Sequence, residues 1–174
     1  MSSPPRSAEV EERARRVKAL FMDVDGVLTD GRVQYLADGS ELKSFHVRDG
    51  LGIKLMRVAD CRVAFISGRT SPAVQRRGEE LGVDAMFLGI EDKNGAYDAL
   101  LEQFGITEDE VAYVGDDLPD LDVLRRSGLS FAVADAAPEV RSAAHVVLRT
   151  SGGQGAVREA CERILKAKGA WRID

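Results

Sequence analysis

The sequence predicts an α/β fold, a doubly wound parallel sheet with helices on both faces and a short β-hairpin inserted after the first strand. Three observations predict it. Short apolar runs, "VKALFMDV", "RVAFIS", "MFLGI", "EVAYVGD", "LSFAVA" and "HVVLRT", recur at fairly even spacing and read as buried strands. Stretches with helical periodicity separate them, and strands that alternate with helices build a parallel sheet. One segment, "RVQYLADGSELKSFHV", breaks the alternation with two alternating runs joined at an Asp-Gly turn signal.

Taken in order, residues 1–16, "MSSPPRSAEVEERARR", read as a polar leader and a short charged helix, and residues 17–174 as a single domain. The hairpin occupies about 32–47, directly after the first strand, and is too short to fold as a domain of its own. Helices are expected over 51–59, 72–81, 94–104, 118–127 and 156–167. In "TSPAV", Pro72 falls in a first turn behind a Ser/Thr cap, and "GITEDEV" offers Thr107 followed by acidic residues. The C-terminal helix and tail fill about 153–174, and no internal repeat or linker interrupts the chain.

Bulk properties exclude several functions. At 174 residues and 44% hydrophobic content, one domain buries roughly 70% of its unfolded surface. A net charge of -5 argues against non-specific nucleic-acid binding, which needs a surplus of Lys and Arg. Cys61 and Cys161 are far apart in sequence and suggest neither a disulfide framework nor a metal spacing. The start lacks a signal-peptide core and no run is long enough to span a bilayer, so a cytoplasmic protein is expected.

The chemistry lies at the strand ends. In a parallel sheet the carboxyl ends open on one edge, where ligands bind. That edge collects Asp23 and Asp25 after the first strand, Ser67 after "VAFI", and Asp116, Asp117 and Asp120 in "GDDLPD", with Lys93 opening a helix. Two carboxylates 4 Å apart repel by about 4 kcal/mol at an effective dielectric near 20, so the cluster calls for a cation or a proton. All-oxygen ligands favour Mg²⁺, which is commonly held by one or two carboxylates together with a substrate phosphate. In a D-x-D turn Asp23 can bind metal and attack while Asp25 faces the leaving group. Ser67 and Lys93 would then hold the oxygens of a transferring phosphoryl group.

Four motifs in order, "DVDGV", "SGR", Lys93 in "EDKNGAY" and "GDDLPD", resemble those of the haloacid dehalogenase-like phosphohydrolases, over about 17–168. The resemblance implies in-line attack by Asp23 to give an aspartyl-phosphate, protonation of the leaving alkoxide by Asp25, and hydrolysis by a water that Asp25 activates. It implies Mg²⁺ held by the Asp23 carboxylate, the Asp25 backbone carbonyl and Asp116. Asp117 and Asp120 would stand behind these groups, orienting Lys93 and metal-bound water. The short hairpin leaves no room for the cap domain found in many members, so the chain is similar to the capless branch. Within it, "GVLTDG", "FHVRDGLGIK", "SGRTS" and "SGGQGAVREA" resemble the 3-deoxy-D-manno-octulosonate 8-phosphate phosphatases of lipopolysaccharide synthesis.

That resemblance implies a homotetramer in which a neighbouring subunit's hairpin and C-terminal segment help complete each site. It implies substrate contacts at His46, Val47, Arg48, Asp49, Gly50, Lys54, Arg69 and Arg77. The residues agree with an anionic sugar, because Asp49 and Gly50 can open a helix near Arg48 and Lys54. His46 and Lys54 stand where relatives often have Asn and Arg, and Lys supplies a point charge in place of a fork.

Singly, each residue has a bland reading. "GDDLPD" is a capped strand-to-helix turn, Ser67 a helix cap, Lys93 a surface lysine and His145 structural. "SGGQG" reads as a phosphate cradle or as a flexible connection. Three other functions fit parts of the pattern: a phosphatase of a nine-carbon sialic-acid-type phosphate, a phospho-acceptor receiver domain, and an idle assembly domain. A receiver spreads its acidic pair and its phosphorylated Asp over different strands, unlike D-x-D here.

Overall fold

The computed structural model describes residues 7–171; the first six residues of the expected leader and the last three of the tail lie outside them. The chain runs α1 (Ser7–Arg16), β1 (Ala19–Met22), the hairpin strands β2 (Gln34–Tyr35) and β3 (Glu41–Leu42), α2 (Val47–Val58), β4 (Arg62–Ser67), α3 (Pro72–Leu81), β5 (Ala85–Leu88) and α4 (Lys93–Phe104). It continues through β6 (Val111–Gly115), α5 (Leu121–Arg126), β7 (Leu129–Ala132), α6 (Pro138–Ala143), β8 (Val146–Val147) and α7 (Ala156–Ala167).

All strands outside the hairpin pair in parallel, in the order β5-β4-β1-β6-β7-β8. The apolar run "ALFM" makes β1 the central strand, buried at every position because helices cover both faces. It sets Phe21 opposite Ala64 of β4 on one side and Tyr113 of β6 on the other. Neighbouring strands lie about 5 Å apart, so whatever follows β1, β4 and β6 must meet at one edge. The ladder extends one step beyond β1, where the Asp23 amide donates to the Val114 carbonyl at 3.1 Å.

Helix α7 shows how sequence becomes packing. Val157, Ala160, Cys161, Ile164 and Leu165 recur at helical spacing and are all buried, against α2 and α1. Burial of side chains such as Ile164 and Leu165 stabilises by about 1.5–3 kcal/mol each. The thiol of Cys161 belongs to this layer, and burial pushes its pKa up, away from reactive thiolate. Trp171 folds back beneath Arg158, whose guanidinium carbon lies 4.8 Å from the ring centroid.

Several elements differ from their sequence-based bounds for identifiable reasons. The hairpin ladder holds two residues per strand, closed by Gly39 at φ +83. Helix α2 begins at Val47 because His46, expected inside the hairpin, caps it: its Nδ1 accepts from the Arg48 amide at 3.1 Å. The stretch 118–127 divides into a 3₁₀ turn, Leu118–Asp120, and α5. Thr107 opens only a single 3₁₀ turn, Glu108–Glu110, before β6. Helix α6, absent from the expected elements, starts with Pro138 in its first turn.

Candidate active site

Asp23, Asp25, Ser67, Arg69, Lys93, Asp116 and Asp117 line one cavity of about 490 Å³ at the carboxyl edge of the sheet. That volume lies within the usual range for small-molecule sites. Asp23 follows β1, Ser67 ends β4 and Asp116 follows β6, so the three central strands deliver them to one place.

Lys93 organises the cluster. As the first residue of α4 it is buried, and its Nζ lies 3.0 Å from Asp23 Oδ2 and 2.7 Å from Asp120 Oδ1. Burial works against its charge, yet these two carboxylates outweigh it and hold its pKa above the ordinary lysine value. Asp120 is wholly buried and fully used: Tyr113 also donates to Oδ1 at 2.7 Å, and Oδ2 accepts from the Asp116 amide at 3.0 Å. It therefore orients Lys93 and the Asp116 loop. Asp117 does not reach Lys93; it is exposed and caps its own turn through the Leu118 amide at 2.8 Å. Ser67 Oγ is buried and accepts from the Arg69 amide at 3.2 Å.

Charge is poorly compensated here. Burial and then the Asp120 charge raise the pKa of Asp23 to about 7, against the pull of Lys93. Burial, Asp23 and Asp120 raise that of Asp116 to about 8. Among the described residues Asp116 Oδ1 is buried without a hydrogen-bond partner, and oxygens of Asp23, Asp116 and Asp120 lie within 4.8 Å of one another. An orphaned buried oxygen in an all-carboxylate set suits a hard divalent cation, so the residues present fit Mg²⁺. With both oxygens of Asp120 taken, Asp23 and Asp116 are the carboxylates available to it. The approach of loop and carboxylate is close: a Cβ at Gly26, φ +85, would sit 2.0 Å from Asp116 Oδ2.

The other expected substrate contacts lie elsewhere on this chain. Val47, Arg48 and Lys54 are exposed along α2, and Lys54 borders a separate groove with Val58 and Glu80. His46 serves as the helix cap already described. Asp49 is buried, with Oδ1 accepting from the Arg158 amide at 2.7 Å. It caps the first turn of α7, whose own N-cap Gly155 has no side chain to do so. Arg77 lies beside Gly50, 3.5 Å from Glu80 and over the Phe45 ring. Of the eight, Arg69 alone lines the cavity within the chain.

Four participants escaped the sequence reading. Lys43 reaches back from the hairpin with its side chain 1% exposed, paired with Asp25 Oδ1 and, at 3.5 Å, with Glu41. Glu41 also accepts from Arg69 Nη2 at 2.7 Å. Tyr113 had a legible signal, since a phenol in a buried strand must find a partner. Asp135, at the β7 edge, accepts from the Gly152 amide at 2.9 Å. There "SGGQG" is neither a cradle nor slack: Gly153 donates to the Val27 carbonyl at 3.0 Å, and a Cβ on Gly152 would lie 1.8 Å from the Gly26 carbonyl oxygen. The loop is clamped, backbone to backbone, on the turn that carries Asp25.

The chain belongs to the haloacid dehalogenase-like hydrolases, whose family model matches residues 91–159. More particularly, it is 48% identical to the 3-deoxy-D-manno-octulosonate 8-phosphate phosphatase KdsC of Haemophilus influenzae, over 92% of this chain and 89% of the relative. It is 46% identical to KdsC of Escherichia coli over 95% of this chain and 88% of the relative. Among solved structures it resembles the 3-deoxy-D-manno-octulosonate 8-phosphate phosphatase of Moraxella catarrhalis, in complex with magnesium, phosphate and KDO, with TM-score 0.92 and 40% identity over 94% of both chains. The cobalt-bound Haemophilus influenzae enzyme matches with TM-score 0.87 and 49% identity over 90% of this chain and 92% of that one. The receiver-domain alternative falls with this membership.

Proposed function

We propose that the protein is a Mg²⁺-dependent phosphomonoesterase that converts 3-deoxy-D-manno-octulosonate 8-phosphate to 3-deoxy-D-manno-octulosonate and phosphate. The observation that carries the reading is the cavity-lining Asp23, pinned between the Val24 amide at 2.6 Å and Lys93 at 3.0 Å, beside the orphaned oxygen of Asp116. Near-half identity to KdsC over almost the whole chain supports the substrate.

Asp23 attacks phosphorus in line; the Asp23–phosphorus bond forms as the ester bond breaks, and the leaving oxygen takes a proton from Asp25. Water then attacks the aspartyl-phosphate, giving its proton to Asp25 and returning Asp23. Ser67 and Lys93 bind the equatorial oxygens, where charge gathers. Asp23, the Asp25 backbone carbonyl and Asp116 would hold Mg²⁺, which would supply the charge neutralisation that lets an anion approach this acidic rim.

The protein acts as a cytoplasmic homotetramer in this reading, with His46, Val47, Arg48, Lys54 and Arg77 serving the cavity of a neighbouring subunit and the buried Asp49 and Gly50 shaping the first turn of α2 that presents them. Two features support assembly. These residues lie away from their own cavity, and the hairpin and α2 expose Tyr35 at 68%, Val47 at 77% and Val58 at 81%. Among the described residues no helix is long and apolar enough to cross a membrane. Phosphate release across eight- and nine-carbon sugar-acid phosphates, with and without Mg²⁺, tests the substrate. Preference for a nine-carbon ester would replace the assignment; indifference to Mg²⁺ would overturn the mechanism.

A further inference from the structure

We propose that Lys43 is a positioning residue for Asp25, holding one carboxylate oxygen so that the other is left to serve the departing oxygen of the substrate. The inference rests on the phosphatase reading and names how the hairpin enters the reaction. Lysine is almost never fully buried unless paired, and removing an ammonium ion from water costs several kcal/mol. Yet the Lys43 side chain is 1% exposed, at the end of a two-residue strand on a hairpin that is otherwise largely solvated. Its partners explain the burial: Asp25 Oδ1 from the nucleophile turn and, at 3.5 Å, Glu41 Oε1 from the adjoining β3. Glu41 is anchored in turn by Arg69, from the loop after β4. Two carboxylates thus hold one ammonium group, and Arg69 braces the second of them.

Folding alone does not call for this arrangement, because an apolar side chain of similar volume often replaces a buried ion pair without loss of stability. The consequence for Asp25 is specific. Its Oδ1 is occupied by Lys43, while Oδ2 is buried without a partner among the described residues, in a side chain that lines the cavity. A proton carried by Asp25 therefore resides on Oδ2 and is delivered from there as the ester bond breaks and its electron pair passes to the leaving oxygen. Without Lys43 the two oxygens become equivalent and the carboxyl group loses its fixed orientation; misplacement of about 1 Å is enough to cost about 100-fold.

The experiment compares kcat/KM, which reports steps through the first phosphoryl transfer, for two leaving groups. One is the alkoxide of a sugar-acid phosphate, which must be protonated; the other is p-nitrophenolate, which departs unaided. Lys43→Met is expected to lose about 100-fold on the sugar-acid ester and less than about 3-fold on p-nitrophenyl phosphate. Lys43→Arg, which can still hold the carboxylate, should recover most of the loss. Equal losses on both substrates overturn the proposal, since Lys43 would then bind the phosphoryl group or merely support the fold. No loss on either also overturns it. Should Lys43→Met fail to fold, Glu41→Gln, which frees the second anchor of Lys43, must show the same leaving-group dependence at smaller size. A wild-type chain that releases phosphate from neither ester defeats the phosphatase reading itself, and the Lys43 assignment falls with it.

Discussion

The strand-end rim and the hairpin–α2 face carry expected functional residues in opposite ways. At the rim, every group is fixed by its own chain: Lys93 is held by two aspartates, Asp120 spends both oxygens, and Asp116 leaves one oxygen spare. On α2, by contrast, Val47, Arg48 and Lys54 are exposed and do not line the cavity of their own subunit. The difference separates two tasks. Phosphoryl transfer needs charges held rigidly, which a parallel sheet supplies locally. Recognition of the rest of the substrate is left, in the proposed assembly, to a second copy.

The sharpest break in the comparison comes from Asp23→Asn. It should abolish turnover by about 10⁴-fold or more while the thermal transition persists, measured by phosphate release and calorimetry. Retained activity would remove the nucleophile from the rim. Next, Tyr35→Asp combined with Leu42→Asp places charge on the exposed hairpin face. Light scattering should show smaller species, and kcat/KM should drop by about 100-fold, as when a buried interface anchor is lost. Full activity in a monomer would erase the division of labour. Smaller again, Arg48→Ala should raise KM about 10-fold with kcat nearly unchanged, because it removes binding without touching the chemistry.

The last test concerns the rim alone. Asp23 and Asp116 have folded pKa values of about 7 and about 8, against an ordinary 3.8. Between about pH 4 and pH 8 the metal-free folded state binds more protons than the unfolded chain, so its stability falls as pH rises through that window. Below pH 4 both states are protonated and the penalty is absent. At one fixed concentration, a hundredfold above its Kd at pH 8, Mg²⁺ should raise Tm by about 5–10 °C at pH 8 and by less at pH 5.5, where protons compete for the carboxylates. A Tm shift independent of pH would detach the ion from these carboxylates.

The same division describes what could be read in advance. The shared position of Asp23, Ser67, Lys93 and Asp116 was legible because each ends or follows a strand or opens a helix, and strand direction sends them to one edge. Lys43 was not, because a lysine on a polar hairpin is ordinarily solvated and only the third dimension reveals the acids that bury it. Asp49 is expected from the sequence to open a helix and touch substrate, whereas it satisfies an amide of α7 more than a hundred positions away. The same holds for Gly152 against Gly26, a contact with no local signature. The start of α2 lies four residues before the expected one because His46, not a common N-cap, accepts from the Arg48 amide in the first turn.

The backbone clamp at Gly152 and Gly153 ties catalysis to the order of synthesis. A nascent chain that has already made Asp23 and Asp25 holds their turn without its final support until residues 152 and 153 have left the ribosome. The contact that completes the seat of the acidic loop therefore forms late, although Asp23 and Asp25 are among the first residues to be translated.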